Sequence, residues 1–305
     1  MDLSIVIPCY NVEKYIESCL NSVSCLEDVQ YEVIVVNDGS TDLTAKKIEE
    51  IRESCSFPMI VYEQENKGTA AARNRGMQFA KGEFLFFLDA DDRVYAKNLR
   101  NLVKAARKDD VDLAFANYCK SIKGKRVVPG TVLRRSKILK KKQGILSGVR
   151  FAELTFDRFT NYISSEMAFC LVKRDFIEKN VLTFNPKIYH EDTLFFHDCI
   201  VKATRVKYYD ELFYEYNIHE DSKERDIKKE AVRMRDKLKL AEEIMHIRER
   251  VSGQYYFLDS YIINLLYTAR KYSTKKPYSA VYKKCCKFTM KSKLIRLLLK
   301  LEGYL

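Results

Sequence analysis

The chain has 305 residues, 47% apolar and 31% charged, enough for one large domain or two ordinary ones around a sizeable core. Ten Gly, five Pro and the lack of repeats or low-complexity runs exclude a fibrous or disordered chain. The net charge of +12 is unevenly placed. Residues 1–222 carry 33 Lys+Arg against 33 Asp+Glu, and residues 223–305 carry 21 against 9, so the whole excess lies in the last 83 residues. Such a step separates two functional regions, the second facing something anionic. The opening MDLSIVIPCY has Asp where a secretory signal needs a cation, and no stretch reaches the roughly 18 apolar residues of a membrane span. These features predict a cytoplasmic protein, or one resting on the inner face of the cell membrane. Nine Cys without any C-x-x-C, beside only four His, leave no zinc spacing to assemble.

Along the chain, strand and helix patterns alternate. Ser4–Pro8 is a continuous apolar run, the mark of a strand buried on both faces of a parallel sheet. Residues 13–24 place Tyr15, Ile16, Cys19, Leu20 and Val23 on one helical face. A strand over Glu32–Val36 ends in a turn, Asn37 to Asp42, that supplies a helix N-cap. Then come a helix over 43–54, a strand over 59–62, a helix over 69–80 and a buried strand over Glu83–Leu88, which ends in Asp89-Ala90-Asp91-Asp92. A helix over 97–108 and a strand over 112–116 complete an α/β unit with a mostly parallel sheet. Beyond 117 the pattern loosens into a basic hairpin-like stretch, helices at 149–157 and 191–203, and short strands near 205–208 and 211–216. From 224 onward the pattern is helical.

In an open parallel sheet, ligands bind beyond the carboxyl ends of the strands. Pro8, Tyr10 and Asn11 follow the first strand, Asp38 the second, and Asp89 to Asp92 the strand over 83–88. Tyr10 offers a flat surface to a nucleobase and Asp38 an acceptor to a base N–H; alternatively Asn11 and Asp38 only cap helices and end strands. The crowded carboxylates after a buried strand repel one another and push a pKa upward unless a cation shares them. Mg²⁺ or Mn²⁺, held by one or two carboxylates and phosphate oxygens, resolves the conflict. Asp92 as the N-cap of the helix over 97–108 is the alternative. Arg73 and Asn74, in the first turns of the helix after Gly68, suit a nucleotide, although Arg73 alone also suits a surface salt bridge.

Together VIPCYN (6–11), VVNDGSTD (35–42), ENKGTAAARNRG (65–76) and FLDADD (87–92) resemble family 2 glycosyltransferases of the GT-A fold, nucleotide-sugar-dependent and usually inverting. The resemblance covers residues 3–92 closely and extends more diffusely to about 222. It implies a GT-A catalytic domain over 1–222, with a nucleotide-binding half to about 117 and an acceptor-side half beyond it, followed by a basic helical region over 223–305. It implies that Pro8, Tyr10 and Asp38 hold the uracil of a UDP-sugar, with Asn11, Lys67, Gly68, Arg73 and Asn74 also at the donor nucleotide. Asp89 and Ala90 then face the ribose and sugar, and Asp91, with Asp89, the metal on the diphosphate. FNPKIYHEDTLFF (184–196) resembles the family's Glu-Asp element, which makes Asp192 the catalytic base, Glu191 an orienting neighbour and His190 a donor-sugar contact. An inverting transfer needs one carboxylate to take the acceptor hydroxyl's proton; a capping pair on the helix over 191–203 is the plainer alternative.

The chain departs from the family in YEYNIHEDS (214–222), where Asn217 stands at the usual Arg and His219 at a second basic position. Asn217 cannot neutralise a diphosphate, whereas His219 can meet it when protonated. KSKLIRLLLKLEGYL (291–305) is a basic amphipathic pattern, suited either to an anionic membrane surface or to packing on the domain. The expected partners are a UDP-sugar and a glycan, glycolipid or glycoprotein acceptor, with no nucleic acid. Two rivals compete. A sugar-nucleotide pyrophosphorylase needs a glycine-rich basic loop after strand one, which PCYNVEKY lacks. An anion-binding module using the basic tail leaves the aspartates and the Glu-Asp pair without a role.

Overall fold

Strand β1 (Leu3–Cys9) lies buried inside the sheet, and its side chains alternate between two cores. Leu3, Ile5 and Ile7 face one side and Val6 the other, the period-2 arrangement of a strand covered on both faces. The computed structural model describes residues 1–122, 125–128, 137–140, 144–155, 169–219, 230–251 and 256–269. On either side of β1 run β2 (Tyr31–Asp38) and β4 (Phe84–Phe87), both parallel to it, and β3 (Met59–Gln64) extends the sheet in parallel beyond β2.

Beyond β4 the sheet continues through β8 (Cys170–Lys173), β6 (Leu113–Ile122) and β9 (Val206–Ile218) to β5 (Arg93–Val94) at the edge. β8 is antiparallel to both of its neighbours, β6 and β9 are parallel, and β7 (Lys125–Val127) forms a short hairpin with β6. The sheet is mostly parallel, as expected, but β8 is inserted antiparallel between β4 and β6, and β5 and β7 also pair antiparallel with their neighbours, none of which the sequence pattern revealed. The two short strands expected near 205–208 and 211–216 are one long strand. Pairing runs from Phe115↔Tyr208 to Asn117↔Leu212, so the surplus residues around Asp210 bulge out without breaking it.

Helices α1 (Ile16–Ser22), α2 (Thr44–Ser54) and α4 (Ala96–Asp109) cover the Ile5 face, with Cys19, Leu20, Ile48, Leu99, Leu102, Val103 and Ala106 buried. In α4 the buried positions follow i, i+3, i+4, i+7 spacing, one stripe of an amphipathic helix. Its end at Asp110 is left-handed, with φ 50°. Helix α3 (Thr69–Phe79) crosses β1 so closely that a Cβ on Gly76 would lie 2.3 Å from Val6 Cγ1. The small residues of TAAARNRG are thus a packing requirement.

The Val6 face is covered by α5 (Gly148–Thr155) and α7 (Glu191–Lys202), while α6 (Arg174–Lys179) follows β8 directly. Two further helices, α8 (Glu230–Arg250) and α9 (Tyr256–Ala269), pack on each other, and α8 also packs on α7. Leu238, Ala241, Ile244, Met245, Leu258 and Ile262 belong to the same buried cluster as Phe195, Phe196 and Phe115. The helices after residue 222 therefore share the core of the sheet-bearing part. The final amphipathic pattern, 291–305, lies outside the described residues. No helix among the described residues is long and apolar enough to cross a membrane.

Candidate active site

Because β1 lies between β2 and β4, the chain leaves β1 to one side and later returns on the other, so a crevice opens beyond the carboxyl ends of these strands. A cavity of about 950 Å³ fills it. Pro8, Tyr10, Asn11, Asp38, Lys67, Gly68, Arg73, Asp89, Ala90, Asp91, Glu191, Asp192 and His219 all line it, joining segments spread over more than two hundred residues. Asn74 and His190, also expected at the site, do not line it.

At the carboxyl end of β1, Tyr10 is 40% exposed in the crevice. Asn11 takes a left-handed φ of 52°, which Asn tolerates better than most residues. Its carboxamide accepts from the Thr41 N–H at 2.8 Å, and its own N–H donates to Ser40 Oγ at 3.1 Å, tying the loops after β1 and β2 together. Asp38 is buried; Oδ1 accepts from Gln64 Nε2 at 2.6 Å and the Lys67 N–H at 2.9 Å, and Oδ2 from the Gly68 N–H at 2.8 Å. It thereby shapes the loop ahead of α3 while keeping its edge on the cavity. Gly39 is required next to it, since φ is 69° and a Cβ would lie 2.8 Å from the Asn66 nitrogen.

The aspartates after β4 divide into three environments. Asp89 Oδ1 accepts from Arg73 Nη2 at 2.7 Å. Asp91 Oδ2 lies 2.9 Å from His219 Nε2, and the His219 ring stacks on Tyr15 with centroids 4.3 Å apart. Asp92 points inward, where it accepts from the Tyr214 hydroxyl and from the Asn217 N–H at 2.7 Å. It thus fastens the loop to β9 rather than capping α4, whose N-cap is Tyr95. Burial first, and then the neighbouring aspartates, raise the pKa values of Asp91 and Asp92, the repulsion expected of a crowded strand end.

Arg73 is the buried hub. Nη1 donates to Glu191 Oε1 at 2.9 Å and Nη2 to Asp89, while the guanidinium lies 5.4 Å from the centre of the Phe184 ring. Burial works against its charge, but Asp89, Glu191 and Asp192 outweigh that and hold it protonated. One cation facing three carboxylates leaves an excess of negative charge. Burial, with Asp192 and Asp89 adding repulsion against the attraction of Arg73, pushes Glu191 up to about 7. Asp192 is also raised, by burial first, with Arg73 and the Thr193 N–H pulling the other way. Its placement in the first turn of α7 therefore does not outweigh desolvation.

Asn74 is spent on structure. Its Nδ2 donates to the Phe184 carbonyl and its Oδ1 accepts from the Phe184 N–H, both at 2.8 Å, which fixes the segment leading to Glu191 against α3. His190 is the N-cap of α7 and packs edge-on against Tyr189. Lys187, Tyr216, Asp236 and Lys239 line the cavity without having been anticipated. Asp236 and Lys239 come from α8, where an Asp and a Lys three residues apart carry no motif.

Asp91 and His219 present a carboxylate oxygen and an imidazole nitrogen to the same cavity, a donor pair that suits Mn²⁺ and, less well, Mg²⁺. His219 Nδ1 is buried without a hydrogen-bond partner among the described residues. No group of three or more His, Cys, Asp or Glu stands close enough among the described residues to hold a metal unaided.

Residues 4–178 match the family described as Glycosyl transferase family 2. The chain is 30% identical over 224 residues to the uncharacterized glycosyltransferase YibD of Escherichia coli (strain K12), covering 72% of this chain and 62% of that protein. It is 30% identical over 223 residues to EpsJ of Bacillus subtilis (strain 168), again covering 62% of the relative, so the match spans about three fifths of these relatives' length. Among solved structures, Staphylococcus aureus TarS 1–349 in complex with UDP-GlcNAc superposes with a TM-score of 0.69 at 20% identity, covering 94% of this chain and 80% of that one. The mannosyltransferase PcManGT from Pyrobaculum calidifontis, in complex with GDP-Man and Mn²⁺, gives 0.59 at 16% identity, covering 99% and 84%. The match over more than half the chain, the likeness in fold and the strand-end crevice agree: the chain belongs to glycosyltransferase family 2 and has the GT-A fold.

Proposed function

We propose that the protein transfers a sugar, a hexose or N-acetylhexosamine, from a UDP donor to a hydroxyl of a glycan, glycolipid or glycoprotein by inverting single displacement. The observation that carries this reading is the convergence of Tyr10 and Asp38, the Asp91–His219 pair and the Glu191-Asp192 pair on one cavity. The naming of UDP-GlcNAc with TarS supports the UDP donor.

The base packs on Tyr10 and the strand ends at Pro8, and Asp38 Oδ2, which accepts only the Gly68 N–H among the described residues, takes a base N–H as well. Asp91 and His219, with Asp89 close by, would hold a divalent ion, which would neutralise charge on the departing diphosphate. That neutralisation matters here because Asn217 offers its backbone to Asp92 and no cation to the donor. Asp192 takes the proton from the acceptor hydroxyl as its oxygen attacks the anomeric carbon from the face opposite the diphosphate. Burial raises its pKa, which makes it a stronger base once ionised, while Arg73 pulls the other way. Glu191, tied to Arg73, orients the guanidinium and does not meet substrate.

The test is a screen of nucleotide-sugars for slow metal-dependent donor hydrolysis, which requires no knowledge of the acceptor. A UDP-sugar is expected to be cleaved in preference to GDP- and CMP-sugars. Cleavage confined to another nucleotide class would overturn the donor assignment.

A further inference from the structure

Two lysines line the same cavity as Asp192 and come from segments other than the loops at the carboxyl ends of β1, β2 and β4. Lys187 lies five positions before Asp192 on the segment that Asn74 anchors, is exposed, and makes no ion pair among the described residues. Lys239 comes from α8, which packs on α7 and is tied to it by Arg250 reaching Asp198 at 3.6 Å. Lys239 Nζ lies 3.4 Å from Asp236 Oδ1, a buried carboxylate one turn earlier, and its side chain is still 47% exposed. The other cations of the cavity are placed differently. Arg73 is consumed by Asp89 and Glu191, and Lys14 and Lys67 belong to the loops after β1 and before α3.

We propose that Lys187 and Lys239 form an anion subsite for the acceptor, and that the acceptor carries a phosphate ester close to the hydroxyl that is glycosylated. This rests on the reading of Asp192 as the base. An acceptor hydroxyl must come up to a floor of Asp89, Asp91, Glu191 and Asp192, where an anionic acceptor is repelled unless cations stand beside its path. A neutral sugar needs no such cations, and two lysines lining a polar cavity beside the base select for an anion. The two come from either side of Asp192 in sequence and from separate elements, so a phosphate between them fixes the direction from which the acceptor enters.

The test uses the full chain loaded with UDP and Mn²⁺, titrated calorimetrically with glycerol 3-phosphate and with glycerol. The phosphate ester is expected to bind at least about tenfold more tightly than the polyol, a difference of about 1.4 kcal/mol. In the K187Q/K239Q double variant this preference should vanish while UDP affinity stays within about twofold, since the donor side is untouched. Equal affinity for ester and polyol would overturn the proposal, as would an unchanged preference in the double variant. Loss of UDP affinity by about tenfold or more in that variant would also overturn it, reassigning the lysines to the leaving diphosphate. Binding to phosphatidylglycerol vesicles without binding to the soluble ester would replace it with surface docking. If the unaltered protein binds no UDP, the donor reading has failed instead, and the same titrations without UDP decide the acceptor subsite by themselves.

Discussion

Arg73 Nη1 lies 2.9 Å from Glu191 Oε1, joining α3 to α7 across 118 residues of sequence. The pair is nearly buried, with side-chain exposures of 9% and 13%. Removing the cation strands two desolvated carboxylates, Glu191 and Asp192. Arg73→Ala is therefore expected to destabilise the fold by about 3–5 kcal/mol, the range for breaking one side of a buried ion pair. Urea denaturation followed by tryptophan-independent circular dichroism measures it. Adding Glu191→Gln to Arg73→Ala should recover part of the loss, and a strictly additive double variant would contradict the shared-charge account.

The same pair sets a pH dependence. Glu191 sits at about 7 in the folded protein, above its ordinary 4.5. The folded state therefore holds a proton that the unfolded state has already released, and stability falls as pH rises from 4.5 through 7. Glu191→Gln removes that titration, so its stability should decline less over this window, by on the order of 1–3 kcal/mol. Chemical denaturation at several pH values checks this. Parallel curves for the two proteins would show that Glu191 does not titrate there.

Asp91 and His219 lead to a metal prediction. UDP should bind only weakly in EDTA and tightly with Mn²⁺, and Asp91→Asn should abolish that difference along with most of the activity. His219→Ala should weaken the Mn²⁺ effect while leaving the metal-free affinity unchanged. Calorimetry of UDP with and without the ion is the measurement, and equal affinity in both would remove the metal from the mechanism.

Asp192→Asn should lower turnover by about 10² or more, the scale of a lost general base, with donor binding nearly intact. Asn keeps the size and the contact with Thr193 but cannot accept a proton. Survival of turnover would make Asp192 a first-turn helix residue only. The anomeric configuration of the product, read by NMR, should be opposite to that of the donor.

Gly76 tests the packing that carries the site. A Cβ there would meet Val6 Cγ1 at 2.3 Å. Gly76→Ala should cost about 1–3 kcal/mol through overpacking, and Val6→Ala in the same chain should return part of it. A thermal melt of the three variants decides, and full tolerance of Gly76→Ala would mean that α3 can lift away from β1.

The strands of the donor side were legible because SIVIP, EVIVV and EFLFFL are unbroken apolar runs, which a strand covered on both faces requires. The residues at their ends followed from the rule that such sheets bind at their carboxyl edges. β8 was not legible, since four residues, CLVK, set no period. β9 looked like two strands because Asp210-Glu211 interrupts it, and only the pairing with β6 shows that the interruption bulges outward. Asn74 looked like a ligand residue because an amide at a helix start suits a nucleotide. That its amide instead matches both polar groups of the Phe184 backbone depends on a contact 110 residues away in sequence. Lys187 and Lys239 were hidden for the opposite reason: exposed lysines are common, and only the packing of α8 on α7 brings them to one cavity.

That packing also limits how the chain can be recombined. Exchanging the C-terminal helices with those of a relative, to redirect the acceptor without disturbing the donor, looks modular on a map of the chain. Yet Leu238, Ala241, Ile244 and Met245 fill the same apolar interior as Phe195 and Phe196 on the sheet-bearing side. A functional chimaera would have to import α7 together with α8, and the Glu191-Asp192 pair would travel with it. The seam for such an exchange then falls before α7, so a new set of C-terminal helices brings a new Glu191-Asp192 segment with it.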